Sequence, residues 1–452
     1  MIQDKPNILL IQADQLKPQV LKSYGGIADT PHLDSLADEG VVFENAYCNF
    51  PLCAPSRFSM LAGMLPSRIG AYDNGAEYLA QIPTMAHYLR LAGYHTCLSG
   101  KQHFVGPDML HGFHERLVPE LYPTDFSWAP SWDEDRMDSN NNSTGVTRSG
   151  VCTRSVQIDH DEAVLYRAKS KLHDYARTEG QPFFLLASFT HPHEPYFALQ
   201  KHWDRYRHDD IPMPVTQLQP AKVRDLHTDR ILRHHSLLDS GITESHVRTA
   251  RHGYLANVSY FDDMLGDLLD TLRQTGLSRN TVILLTADHG DMLGEHGLWF
   301  KKHFFDHASR VPLIVHAPEY FSNGRSLVNV SLVDLLPTLC DLAGFKVAEH
   351  APQTLDGSRA LLDLPADDPR RVPCLSDELN EPAADDAGSV EYHARVMLGP
   401  SSLESAIQDC AAYRSVRAHP PHCYALPDRW QDHKARVARR PLESVCTGPS
   451  AP

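Results

Sequence analysis

Four stretches of the chain are almost wholly apolar and end on a polar residue. Asn7-Ile8-Leu9-Leu10-Ile11-Gln12-Ala13 runs into Asp14, and Thr281-Val282-Ile283-Leu284-Leu285-Thr286-Ala287 runs into Asp288-His289-Gly290. Residues 182–190 run into His191-Pro192-His193-Glu194-Pro195, and Pro312-Leu313-Ile314-Val315 ends on His316. Such runs lack alternation and are too short for buried helices. They predict strands covered on both faces in a parallel sheet, with their polar tips reaching a site. A shorter strand over 95–99 leads into Gly100-Lys101-Gln102-His103. Between the strands, Thr30-Pro31 has the cap and first-turn proline of a helix reaching residue 39, and further helices are predicted over 84–92, 161–177, 246–273 and 331–342. This alternation predicts an α/β domain with a mostly parallel central sheet, right-handed crossovers and a site at one sheet edge.

Near residue 365 the pattern fades into Pro365-Ala366-Asp367-Asp368-Pro369 and later Glu381-Pro382-Ala383-Ala384-Asp385-Asp386, which read as solvated linker. The expected organisation is a catalytic α/β domain over 1–365 and a small, atypical C-terminal region over 366–452, without periodicity beyond about residue 394. The charged, His-rich stretch 203–245 reads as a solvated surface excursion. Composition adds exclusions. Hydrophobic residues make up 42% and charged residues 22%, which argues against disorder. The balance of 42 Lys+Arg against 57 Asp+Glu gives −15 with no basic block, so no nucleic-acid partner is expected. No apolar run approaches the ~18 residues of a membrane span, and Met1 to Pro6 lacks a secretory signature, so a cytoplasmic protein without a membrane partner is expected. Nine cysteines with no C-x-x-C pair suggest neither a disulfide framework nor a zinc knuckle.

The sharpest chemical signal is Leu52-Cys53-Ala54-Pro55-Ser56-Arg57. Pro55 suits the first residue of a helix, which puts Cys53 at a helix N-terminus where N–H groups favour an anion, with Arg57 one turn further on. A lone cysteine is most often a buried structural thiol. Six residues together point elsewhere. The motif C-x-P-S-R, followed by Phe58 to Arg68, resembles the type I sulfatases of the alkaline phosphatase superfamily. That resemblance implies the superfamily's α/β/α sandwich and a Cys53 oxidised to formylglycine by a formylglycine-generating enzyme or an equivalent. The aldehyde hydrate would then be the nucleophile. It also implies a divalent metal held by Asp14, Asp288 and His289 together with residue 53. Hard oxygen ligands favour Ca²⁺, while His289 leaves Mn²⁺ open. Many sulfatases have a second Asp where this chain has Gln15. Lys101-Gln102-His103 matches the family's K-x-H element: Lys101 would neutralise the sulfate and His103 would take a proton from the hydrate to release it. Pro192-His193-Glu194-Pro195 resembles the P-H-x-P element, with His193 supporting the leaving oxygen and His191 orienting the loop. Lys301, 13 residues after Asp288, is the expected second lysine, with Lys302 as its adjacent alternative.

Within the sulfatases, the runs Asn49 to Arg57, Leu65 to Asn74, Leu98 to Asp108, His111-Gly112-Phe113, Tyr122 to Trp128 and Gly297 to Phe300 resemble the choline sulfatases over roughly residues 5 to 380. The implied substrate is a small sulfate ester, choline-O-sulfate, whose cleavage feeds glycine betaine formation or sulfur scavenging. A quaternary ammonium favours aromatic faces. Trp128 is the expected aromatic wall, with Asn74 on a sulfate oxygen and Glu378 as an acid near the ammonium. The C-terminal region beyond about residue 394 matches nothing in the family, and subunit association, a homo-oligomer included, stays open. Two other readings are carried forward: a phosphonate monoester or phosphodiester hydrolase of the same superfamily, and a weakly active relic that binds choline sulfate.

Overall fold

The computed structural model describes residues 5–126, 143–178, 180–318, 320, 323–351 and 355–357. Its frame is an eight-stranded sheet in the order β10-β2-β9-β8-β1-β6-β3-β4. The strands are β1 (Asn7–Asp14), β2 (Val41–Tyr47), β3 (His95–Gly100), β4 (Glu115–Val118), β6 (Phe183–Pro192), β8 (Thr281–Ala287), β9 (Leu313–His316) and β10 (Gly324–Ser331). A separate two-stranded parallel sheet joins β5 (Gly150–Cys152) to β7 (Phe197–Leu199). Central strands β1, β6 and β8 run parallel, with Ile8 opposite both Phe184 and Val282. Every residue of β6 and β8 is buried, as continuous apolar runs covered on two faces require.

Two sets of helices provide that cover. Pro31–Glu39, Val156–Ala176 and Glu244–Gln274 pack on one another and on the sheet, while Cys53–Ala62, Met85–Leu91 and Leu335–Leu342 form a second mutually packed set. The result is the α/β layered fold with a mostly parallel sheet. One strand departs from expectation. β9 pairs antiparallel with both β8 and β2, because an apolar run encodes burial and not direction. The helix predicted from 161 begins at Val156, where the Ser155 side chain accepts from Ile158 N at 3.2 Å as a cap. The expected boundary at 365 and the region 366–452 lie outside the described residues. Among the described residues, no helix is long and apolar enough to cross a membrane.

Candidate active site

The carboxyl ends of the parallel strands converge. β1 delivers Asp14, β8 delivers Asp288 and His289, β3 delivers Lys101 and His103, and β6 delivers His193, the arrangement in which open α/β sheets form their sites. Cys53 arrives from the other layer. Its helix, Cys53–Ala62, starts two residues earlier than Pro55 predicts, with Leu52 as the residue before the first turn. Ala54 N in that turn donates to Asn74 Oδ1 at 3.0 Å, so the Asn74 amide group retains its NH₂ as a donor beside the cavity.

Asp14, Cys53, Asp288 and His289 each offer a ligand atom, all within 4.8 Å of one another and all buried. Cys53 Sγ lies 3.3 Å from His289 Nε2, which is 3.8 Å from Asp14 Oδ1 and 3.7 Å from Asp288 Oδ2. Arg57 is wholly buried beneath them. It donates to Asp288, Gln12 Oε1 (3.1 Å), Ser188 Oγ (2.8 Å) and the Lys101 carbonyl (2.8 Å). Lys101 Nζ pairs with Asp14 Oδ2 and lies 4.5 Å above the Tyr122 ring. The Lys101–His103 turn is held from behind by Glu120, whose Oε1 accepts from Gln102 N at 2.9 Å and Phe104 N at 3.1 Å.

Electrostatics follow from this packing. Burial would push the Cys53 thiol up, but Lys101, Lys301 and His289, with a smaller pull from His103, hold it well below its ordinary value. Burial disfavours the Asp14 anion too, yet Lys101 keeps that carboxyl far below the usual range. Burial opposes the charge on Lys101, and Asp14 and Cys53 more than restore it. His289 is raised against burial by Asp288 and Cys53.

A cavity of about 380 Å³ opens above Cys53, bounded by Asn74, His103, Tyr122, His193, Glu194 and Lys301 among others. Lys301 Nζ is 2.5 Å from His193 Nε2, 3.3 Å from Glu194 Oε1 and bonded to Gln15 Oε1. Lys302 instead meets His234 Nε2 at 2.7 Å. Both lysines line the cavity, but their ammonium groups take different partners, across a backbone that is left-handed at Phe300 (φ 67) and Lys302 (φ 77). Gln15 stands just past Asp14 with its amide turned to Lys301, Glu194 (2.6 Å) and Asp291 (2.5 Å). His191 Nδ1 is bound by Asp161 Oδ2 at 2.7 Å.

The 203–245 stretch is not a mere surface excursion. Its helix Leu226–His234 is followed by His235, which is buried and lines the cavity against Phe300, and His227 Nε2 lies 2.8 Å from the Lys302 carbonyl. Trp128 and Glu378 lie outside the described residues. Residues that sequence reasoning missed include Gln12, Glu120, Asp161, Glu194 and His235. Gln12 had a signal, a polar residue inside a buried strand, and Glu194 sits within the quoted His-Glu-Pro run. A second grouping, His32, Asp262 and Asp263, has its oxygens taken by the backbone N–H groups of His32 (3.1 Å) and Leu33 (2.7 Å), by His202 and by Arg205.

Comparison with known proteins adds to this geometry. A choline-sulfatase of Rhizobium meliloti (strain 1021) is 44% identical over 364 residues, covering 78% of this chain and 70% of that protein. An arylsulfatase of Clostridium perfringens is 28% identical over 379 residues, covering 78% and 77%. Among solved structures, the phosphonate monoester hydrolase of Silicibacter pomeroyi superposes with a TM-score of 0.64 at 23% identity over 81% of this chain and 78% of that one. That of Agrobacterium radiobacter gives 0.59 at 22% over 79% and 76%. These two likenesses establish the fold. The sulfatase family pattern itself matches residues 6–345, and this chain belongs to the sulfatase family of sulfuric ester hydrolases.

Proposed function

We propose that the chain hydrolyses choline-O-sulfate to choline and sulfate, with residue 53 in its formylglycine form. The observation that carries this reading is the 44% identity over 364 residues to the Rhizobium choline-sulfatase. The phosphonate monoester hydrolases share the fold at only 22–23% identity, which ranks that alternative lower.

The Sγ of Cys53 stands in for the oxygens that the modified residue would carry. In that form residue 53 supplies a hydrated aldehyde whose hydroxyl attacks sulfur. A divalent cation suits the neighbouring donors, because Asp14 Oδ1 is buried without a hydrogen-bond donor and an anionic oxygen in that state is costly. Asp14, Asp288 and His289 would hold it with residue 53, and the cation would polarise a sulfuryl oxygen and acidify the attacking hydroxyl. Ca²⁺ fits the carboxylate oxygens best, with Mn²⁺ admitted by His289.

The chain's own groups divide the remaining work. Lys101, beside residue 53, offsets the charge of the sulfate. His103, which lines the cavity together with Cys53, accepts a proton from residue 53. Arg57 neutralises Asp14 and Asp288 from below. His193 and Lys301, paired at the cavity wall, serve the choline oxygen, a poor leaving group that needs a proton. The Asn74 NH₂ meets a sulfate oxygen, and Trp128 and Glu378 take the ammonium. Maturation calls for a formylglycine-generating enzyme or its equivalent. The five described cysteines are all free thiols, in keeping with a reducing, cytoplasmic setting.

The test is sulfate release from choline-O-sulfate by protein whose Cys53 peptide has the mass of formylglycine, with Ca²⁺ and Mn²⁺ each supplied. Turnover supports the reading. Fully modified, metal-loaded protein that releases no sulfate overturns the substrate assignment.

A further inference from the structure

The helix Val156–Ala176 sends two side chains, one turn apart, onto the segment that carries His193. Gln157 Nε2 donates to the carbonyl oxygens of His193 (3.2 Å) and Glu194 (2.8 Å). Asp161 Oδ1 accepts from the Thr190 amide (2.7 Å) and hydroxyl (2.9 Å), and its Oδ2 accepts from the His191 amide (2.9 Å) and faces His191 Nδ1 (2.7 Å). Residues four apart share one helix face. A single face therefore fastens the whole stretch from Thr190 to Glu194. Both side chains are buried, Asp161 completely and Gln157 to within 6% exposure. Burial would favour a neutral acid at Asp161, but hydrogen bonds from His160 and His191 keep it an anion.

The Glu194 carbonyl takes a second contact, from His193 Nδ1 at 2.6 Å. A carbonyl can only accept, so the neutral imidazole carries its proton on Nδ1. Its Nε2 is then left as an acceptor facing Lys301 Nζ at 2.5 Å. Gln157 thus fixes the very acceptor that selects the tautomer of His193.

We infer that Gln157 and Asp161 are positioning residues that set the tautomer and alignment of His193 with Lys301 against the departing oxygen. The inference rests on His193 and Lys301 serving the leaving group. A fastening of helix to sheet with no bearing on His193 is the competing account, and the two differ in leaving-group dependence. Misplaced proton delivery hurts poor leaving groups most, whereas loss of folded enzyme lowers every substrate alike.

The experiment uses the full chain with formylglycine confirmed by mass, as wild type, Gln157→Leu, Asp161→Asn, His193→Ala and the double variant His193→Ala/Gln157→Leu. Turnover is measured on 4-nitrophenyl sulfate, phenyl sulfate and choline-O-sulfate. Both single positioning variants are expected to lose about 10- to 100-fold in kcat on the poorest leaving group, and little on 4-nitrophenyl sulfate. The double variant should be no worse than His193→Ala alone. Nitrogen NMR of the His193 imidazole gives a readout apart from turnover, with the Nδ1–H tautomer dominant in wild type and lost in Gln157→Leu. Equal losses on all substrates, additive losses in the double variant or an unchanged tautomer would overturn the inference. Should Asp161→Asn not fold, Gln157→Leu decides alone. If wild type cleaves the aryl esters but not choline-O-sulfate, the substrate reading fails while the aryl series still tests the positioning role.

Discussion

Arg57 donates from Nε to Asp288 Oδ2 at 2.8 Å, with both side chains fully buried. Its Nη2 also lies 3.3 Å from Asp14 Oδ2, so one guanidinium balances the two strand-tip acids whether or not a cation sits above them. Removing it takes a buried counter-charge from both carboxylates, leaving Asp14 to Lys101 and Asp288 to the N–H groups of Gln15 and His289. Arg57→Ala is expected to cost about 3–5 kcal/mol in urea unfolding, with turnover lost. Arg57→Lys, which keeps the charge but not the fork, should fall between. A stability near wild type for Arg57→Ala would mean that Lys101 alone supports the acids.

Cys53→Ala keeps the β-carbon but removes the thiol through which it is oxidised to the aldehyde. Sulfate release from any ester should vanish while the unfolding midpoint stays close to wild type. Comparable turnover in that variant would sink the formylglycine mechanism.

Chelation tests the cation directly. Exhaustive treatment with EDTA should abolish turnover and lower the melting temperature, because a ligand at 100 times its Kd adds about 2.7 kcal/mol to the folded state. Ca²⁺ should restore both, and Asp14→Asn should bind neither Ca²⁺ nor Mn²⁺ tightly in calorimetry. Full activity after metal removal would leave the orphaned Asp14 oxygen without its proposed partner.

Lys17 sets a pH dependence of stability. Its Nζ is 2.9 Å from His307 Nδ1, and burial, then repulsion from Arg251, pushes it down to about 7 against the pull of Asp291 and Glu295. The unfolded chain holds this proton up to its ordinary 10.5, so between about pH 7 and 10 the unfolded state binds more protons and stability rises with pH. The contribution is at most about 1.4 kcal/mol per pH unit. Lys17→Met should flatten this rise relative to wild type in urea titrations at pH 7, 8 and 9. Identical slopes for the two proteins would show that Lys17 stays charged.

Two side chains are expected to act on KM. His235→Ala should raise KM for choline-O-sulfate with little change toward 4-nitrophenyl sulfate, and Trp128→Ala should do the same through loss of an aromatic face to the ammonium. Steady-state kinetics on both esters decide the matter. Equal losses on the two would make these side chains structural.

Much of the frame was legible because burial writes itself into sequence. The runs before Asp14 and Asp288 read as strands, and they are β1 and β8. Strand β2 escaped because only Val41, Val42 and Phe43 precede polar Glu44 and Asn45, and β10 because its Leu327 is exposed at the sheet edge. The direction of β9 is a property of its connections. In the site, local motifs named side chains that folding brings together around one cavity. Gln157, Asp161 and Glu120 were not legible, since each acts on a segment 16 to 37 positions away through contacts that only folding creates. Lys301 and Lys302 could not be told apart by spacing; in the fold both line the cavity, and Lys301 meets His193 where Lys302 meets His234.

His235 reaches the cavity from a length of chain that the eight-stranded sheet does not use. The apparatus that cuts the ester is distributed over strand tips hundreds of residues apart, each locked to the next by buried charge. Part of the cavity wall comes instead from one continuous segment. The segment is also fastened to the loop that carries Lys301, through His227 on the Lys302 carbonyl and His234 on the Lys302 ammonium, so a change in its length would be felt by the leaving-group lysine as well as by the wall.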